Sequence, residues 1–152
     1  MRDTISLLYD AGSRDSEPSP WRPDPEAQED HRDFVANARL LVVDDEPFVR
    51  SVVSRLLEEA GHKVTVALGG IEALEILQAD PTGFDLVITD IRMPGMDGWQ
   101  LGQHITDQCL GLPILYMSGY DLDSGSHGIP LLRKPFDAQE LLVRVRELLG
   151  SR

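Results

Sequence analysis

Leu86-Val87-Ile88-Thr89-Asp90-Ile91-Arg92-Met93-Pro94-Gly95-Met96-Asp97-Gly98 is the stretch whose reading decides the fold. It opens as an apolar, β-branched run, the pattern of a strand buried on both faces. It closes in a loop marked by Pro94, Gly95 and Gly98. The carboxylate of Asp90 is thereby placed where a buried strand ends, and in open α/β sheets that edge is where ligands gather.

The pattern repeats on either side. Leu40-Leu41-Val42-Val43 reads as a buried strand running into Asp44-Asp45-Glu46, with Pro47 suited to the first position of a helix. Phe48, Val49, Val52, Val53, Leu56, Leu57 and Ala60 recur at helical spacing up to Gly61. Val64–Ala67 gives a second strand, and Ile71 to Leu77 a short amphipathic helix after Gly69-Gly70. The third strand is expected over Phe84–Thr89, with a helix over Gly98–Gln108. A fourth strand, Pro113–Met117, leads into Ser118, and Leu131-Leu132-Arg133 is a short fifth ending at Lys134-Pro135-Phe136. Asp137 and Glu140 have capping-box spacing and open a last helix closed by Gly150. Strands alternating with helices imply a parallel sheet with right-handed crossovers, so all strands end on one edge. Asp44, Asp45, Asp90, Ser118 and Lys134 then converge there.

Composition bounds what that edge can do. The chain has 152 residues, enough for one domain with a substantial core. Its formal charge of −12 argues against direct nucleic-acid binding and suits cations or basic protein surfaces. A single cysteine, Cys109, excludes an internal disulfide and fits a reducing compartment. No apolar run approaches a membrane span, and no signal peptide is evident, so a cytoplasmic location is expected. Residues 1–37 carry nine acidic and four basic residues, with Pro18, Pro20, Pro23 and Pro25 closely spaced. That composition predicts a disordered acidic tail before a folded domain at 38–150. A segment that orders on a partner is the other reading, with Ile5 to Tyr9 and Trp21 as its apolar features.

Three carboxylates on one edge repel one another, and a hard divalent cation such as Mg²⁺ resolves the repulsion. Lys134, one of two lysines in the chain, offers a compact positive charge for a phosphoryl group. Ser118 offers a hydroxyl donor, although a serine in that place alone is more often an ordinary turn residue. Asp90 is the candidate nucleophile for an acyl phosphate. His31, His62, His104 and His127 share no metal-ligand spacing and are expected at the surface. Trp99 is expected in the core or at its margin.

Asp44-Asp45, Asp90 with Met93-Pro94-Gly95-Met96-Asp97-Gly98, Ser118-Gly119 and Lys134-Pro135-Phe136 together resemble the response-regulator receiver domain of two-component signalling, over about Ala38 to Gly150. The resemblance implies a flavodoxin-like α/β fold with five parallel strands in the order 2-1-3-4-5. It implies phosphoryl transfer to Asp90 from a sensor histidine kinase or a histidine phosphotransfer protein, and readout by a downstream protein partner. Carried over by position, Asp45, Asp90 and the backbone carbonyl of Arg92 would ligand Mg²⁺, with Asp44 acting through water. Lys134 and Ser118 would contact the phosphoryl group, Ser118 as the switch, and the Lys134–Pro135 peptide would be cis. Arg92 and Tyr120 occupy positions that tune phosphoryl lifetime in the family; ordinary exposed side chains are the equal alternative.

The sequence departs from the family in three respects. The span from Ser118 to Lys134 is short, so the fourth helix is expected to be stunted or absent. Leu131 stands where receivers carry Tyr or Phe as partner of the hydroxyl switch. The chain stops after the last helix, so no output domain is expected, as in a stand-alone receiver or one from a hybrid kinase. Leu131 and the short span leave a phosphorylation-independent interaction scaffold as the alternative. A phosphohydrolase with an aspartyl-phosphate intermediate is disfavoured by Arg92, which stands where such enzymes want a second aspartate.

Overall fold

The computed structural model describes residues 37–108, 111–119 and 128–150. The elements are β1 (Arg39–Val43), α1 (Pro47–Glu59), β2 (Lys63–Ala67), α2 (Gly70–Ala79), β3 (Leu86–Asp90), α3 (Gly98–Gln108), β4 (Ile114–Ser118), β5 (Leu131–Arg133) and α4 (Ala138–Gly150). The strands form one parallel sheet in the order β2-β1-β3-β4-β5. The expected shortened fourth helix falls between β4 and β5, where 120–127 are outside the described residues, as is the expected tail at 1–37 apart from Asn37.

Strand alternation splits the core into two layers. Leu40 and Val42 of β1, Leu86 and Ile88 of β3, Leu115 and Met117 of β4 and Leu132 of β5 face α1 and α4. Leu41, Val43, Val87, Ile114 and Tyr116 face α2 and α3. All five residues of β3 are buried, as are all five of β4, which accounts for their unbroken apolar character. β2 is an edge strand, and its pattern of exposure is correspondingly open.

Local chemistry fixes the ends of the helices. α1 starts at Pro47, and Gly61 takes φ +100 just after its end. Two helices open on reciprocal capping boxes. Asp97 Oδ1 accepts from Gln100 N at 2.8 Å while Gln100 Oε1 accepts from Asp97 N at 3.0 Å, ahead of α3. Asp137 and Glu140 do the same ahead of α4, at 2.7 and 3.0 Å. The second of these boxes has the expected spacing.

Boundaries differ from expectation by a residue or two. β3 starts at Leu86 and includes Asp90; Phe84 precedes the strand and packs in the α2 and α3 layer, with the Arg39 guanidinium 5.1 Å from its ring centroid. β4 is shifted by one residue and includes Ser118. α2 takes Gly70 as its first residue rather than as a break; that position is buried against Met96, with no room for a side chain.

Candidate functional site

Asp44, Asp90 and Lys134 meet for a reason visible in strand parity. Each lies two residues beyond a core residue of the same layer, namely Val42, Ile88 and Leu132. Val43 pairs with Thr89, so Asp44 and Asp90 leave adjacent strands at the same height. Ser118 pairs with Arg133, which carries Lys134 to the same edge by way of a cis Lys134–Pro135 peptide.

Lys134 Nζ lies 3.2 Å from Asp90 Oδ1, 3.5 Å from Asp44 Oδ2 and 3.9 Å from Glu46 Oε1. Asp44 and Asp90 are buried, and Lys134 is mostly covered. Asp44, Asp45 and Asp90 can each offer a carboxylate oxygen within 4.8 Å of the others. One ammonium therefore serves a group of three acids, and the balance is visible in their ionisation. Burial raises the Asp90 pKa to about 6, with Lys134 opposing the rise and Asp44 adding to it. Burial also raises that of Asp44, against the Glu46 N–H and Lys134. Burial works against the Lys134 ammonium, but Asp44 and Asp90 outweigh it and raise its pKa.

The donor set fits a hard divalent cation. Asp44 Oδ2 is buried and accepts no hydrogen bond, although the Lys134 ammonium lies 3.5 Å away, so it has lone pairs open to a cation's bound water. Asp44, Asp45 and Asp90 supply hard oxygens of the kind Mg²⁺ selects, with room for several waters.

The surrounding backbone is tightly built. The Thr89 hydroxyl donates to the Asp90 carbonyl at 2.9 Å, and Gly98 N donates to the Ile91 carbonyl at 2.7 Å. A Cβ at Gly98 would collide with the Asp90 carbonyl and Ile91 Cα, so this glycine lets α3 begin directly against the end of β3.

Ser118 is buried at the last position of β4, and its carbonyl accepts from Lys134 N at 2.7 Å. Arg92 is exposed two residues past Asp90. Leu131 is half-buried and pairs in register with Tyr116, whose ring lies 4.7 Å from that of Trp99. Trp99 is half-buried at the start of α3, as expected. Of the histidines, His62 is buried, not exposed. Tyr120, Cys109, His31 and His127 lie outside the described residues. Sequence reasoning missed Arg50, whose Nη1 donates to the Asp44 carbonyl at 2.7 Å. A long cationic side chain one turn into the helix behind an acidic loop was the available signal.

The comparisons agree with this geometry. Residues 40–146 match the family described as the response regulator receiver domain. An uncharacterized transcriptional regulatory protein, YbdJ of Bacillus subtilis, is 34% identical over 116 residues, covering 73% of this chain and 50% of that protein. A crystal structure of a response regulator receiver domain protein from Clostridium thermocellum aligns with a TM-score of 0.70 at 30% identity, covering 75% of this chain and 95% of that one. The receiver domain of the hybrid histidine kinase CckA aligns with a TM-score of 0.64 at 40% identity, covering 73% and 98%. The chain spans half or less of the length of the curated relatives YbdJ, ARR2 and CckA. Receivers of this kind are signalling modules that bind Mg²⁺ at an acidic cluster and work with histidine kinases or phosphotransfer proteins. No described helix is long and apolar enough to cross a membrane. With strand order, acidic pocket and family match in agreement, the chain belongs to the response-regulator receiver family of two-component systems.

Proposed function

We propose that residues 38–150 are a phosphoacceptor receiver in a two-component phosphorelay, with Asp90 as the acceptor. The observation that carries the reading is Lys134 Nζ at 3.2 Å from Asp90 Oδ1, within a group of three acids. An Asp90 oxygen attacks the phosphorus of a phosphohistidine on a sensor kinase or phosphotransfer protein. The new O–P bond forms as the N–P bond breaks, and the imidazole nitrogen keeps the electron pair. Asp45, Asp90 and the Arg92 carbonyl would hold Mg²⁺, with Asp44 acting through water, and the cation would supply positive charge to offset that of the phosphoryl oxygens. Lys134, already beside Asp90, pairs with the incoming phosphoryl group, and Ser118 supplies its hydroxyl as the switch read by a downstream protein. The only turnover is self-phosphorylation and slow hydrolysis. The protein acts in the cytoplasm, without direct nucleic-acid or membrane contact. Residues 1–37 serve it as an acidic tail.

The test is incubation with Mg²⁺ and acetyl phosphate, followed by intact-mass measurement. A single added phosphoryl group, absent from Asp90→Asn, is expected; an equal mass gain in the variant would sink the assignment. Leu131, which offers no aromatic partner to Ser118, favours a second reading as a phosphorylation-independent scaffold. Equal partner affinity with and without beryllofluoride would select that reading.

A further inference from the structure

We infer that Arg50 is a positioning residue of the metal pocket, setting the direction of Asp45 by clamping the peptide between Asp44 and Asp45. The inference rests on the receiver reading of the site.

The turn joining β1 to α1 is held through Asp44. Its N–H donates to the Ala67 carbonyl at 3.3 Å, continuing the sheet by one residue. Its Oδ1 accepts from Glu46 N at 2.9 Å, closing a short side-chain turn around Asp45. Its carbonyl lies beyond the last β1–β2 pair, and Arg50 Nη1 donates to it at 2.7 Å. Asp45 lies between these two anchors and inherits its direction from them. Helical side chains lean back toward the N-terminus, so a residue four positions into α1 covers the turn before it. Arginine gives that reach a planar, multi-donor end that a lysine lacks.

Positioning and simple electrostatics predict opposite outcomes. A cation at the rim of a Mg²⁺ pocket repels the metal, so if Arg50 contributed charge alone, its removal would tighten binding. If Arg50 aims Asp45, its removal loosens binding, since groups that orient metal ligands are worth about 10–100-fold in affinity.

The experiment is Mg²⁺ titration by calorimetry of the full chain, Arg50→Met and Arg50→Gln, with hydrogen exchange of the Glu46 amide in the metal-free proteins. Arg50→Met is expected to raise the Mg²⁺ dissociation constant about tenfold and to speed Glu46 exchange. Arg50→Gln keeps a polar, helix-compatible side chain without the reach. It is expected to behave the same way, and it decides the matter if Arg50→Met does not fold. Unchanged or tighter Mg²⁺ binding in the variants, with a parent that binds, overturns the role of Arg50 alone. A parent that binds no Mg²⁺ overturns the receiver reading, and this inference with it.

Discussion

Replacing Asp90 with asparagine should make the metal-free protein more stable while removing its chemistry. Asp90 ionises near 3.8 in an unfolded chain and near about 6 in the folded one, because burial and its acidic neighbours outweigh Lys134. Between those pH values the folded state holds the extra proton, so stability falls as pH rises through the window. Above about pH 6 the whole cost is present, and at about 1.4 kcal/mol per pH unit it comes to about 3 kcal/mol. That is a large part of a typical total of about 5–15 kcal/mol. Asparagine keeps the shape without the charge, and Lys134 retains Asp44 at 3.5 Å and Glu46 at 3.9 Å. Urea denaturation in EDTA at pH 7.5 should therefore show Asp90→Asn ahead by about 2–3 kcal/mol. The gap should shrink as pH falls toward 4 and close below the unfolded-state pKa of 3.8, where Asp90 is protonated in both states. Mg²⁺ at about 100 times its dissociation constant should return about 2.7 kcal/mol to the parent, whereas the variant, lacking a principal ligand, should gain little. A variant no more stable than the parent at pH 7.5 in EDTA would refute the account of the pocket as strained by buried acidic charge that Lys134 does not fully offset.

The packing makes two further outcomes testable. Gly98→Ala forces a methyl group into the Asp90 carbonyl and should cost about 1–3 kcal/mol in urea denaturation while weakening Mg²⁺ binding; a neutral result would mean that α3 can shift without disturbing β3. His62 is buried with Nδ1 lacking a hydrogen-bond partner; burial lowers its pKa while Asp85 opposes the fall. The unfolded chain then binds the extra proton, so His62 removes stability as pH drops below about 6.5. His62→Gln should flatten that limb of the pH–stability curve, and an unchanged slope would place the acid sensitivity elsewhere.

Much of this could be read from residue order because strand parity does the placing. Once Val42, Ile88 and Leu132 are recognised as core residues of one layer, Asp44, Asp90 and Lys134 fall on the same side. The capping box at Asp137 and Glu140 was equally legible, whereas the cis Lys134–Pro135 peptide followed only from the family resemblance. The features that escaped depend on side chains crossing between elements. Arg50 reaching back to a carbonyl has no periodic signature. The Asp97–Gln100 box was missed because glutamine there reads as ordinary helix surface. His62 looks like a surface residue beside Gly61 and Lys63, yet the turn after α1 folds it inward.

The two-layer alternation also limits which changes of length the protein can absorb. One residue inserted between Leu86 and Asp90 would send the carboxylate to the α2 and α3 side, stranding Lys134 with Asp44. Connections at the opposite pole, such as Asp80–Asp85 before β3, carry no such constraint, because they can bulge without rotating the strand they lead into. Substitutions throughout this domain are thus graded in effect, but a frame slip inside β1, β3 or β5 is all-or-none. Diversity in chain length should accumulate at the amino-terminal ends of the strands and leave the carboxyl-terminal rim untouched.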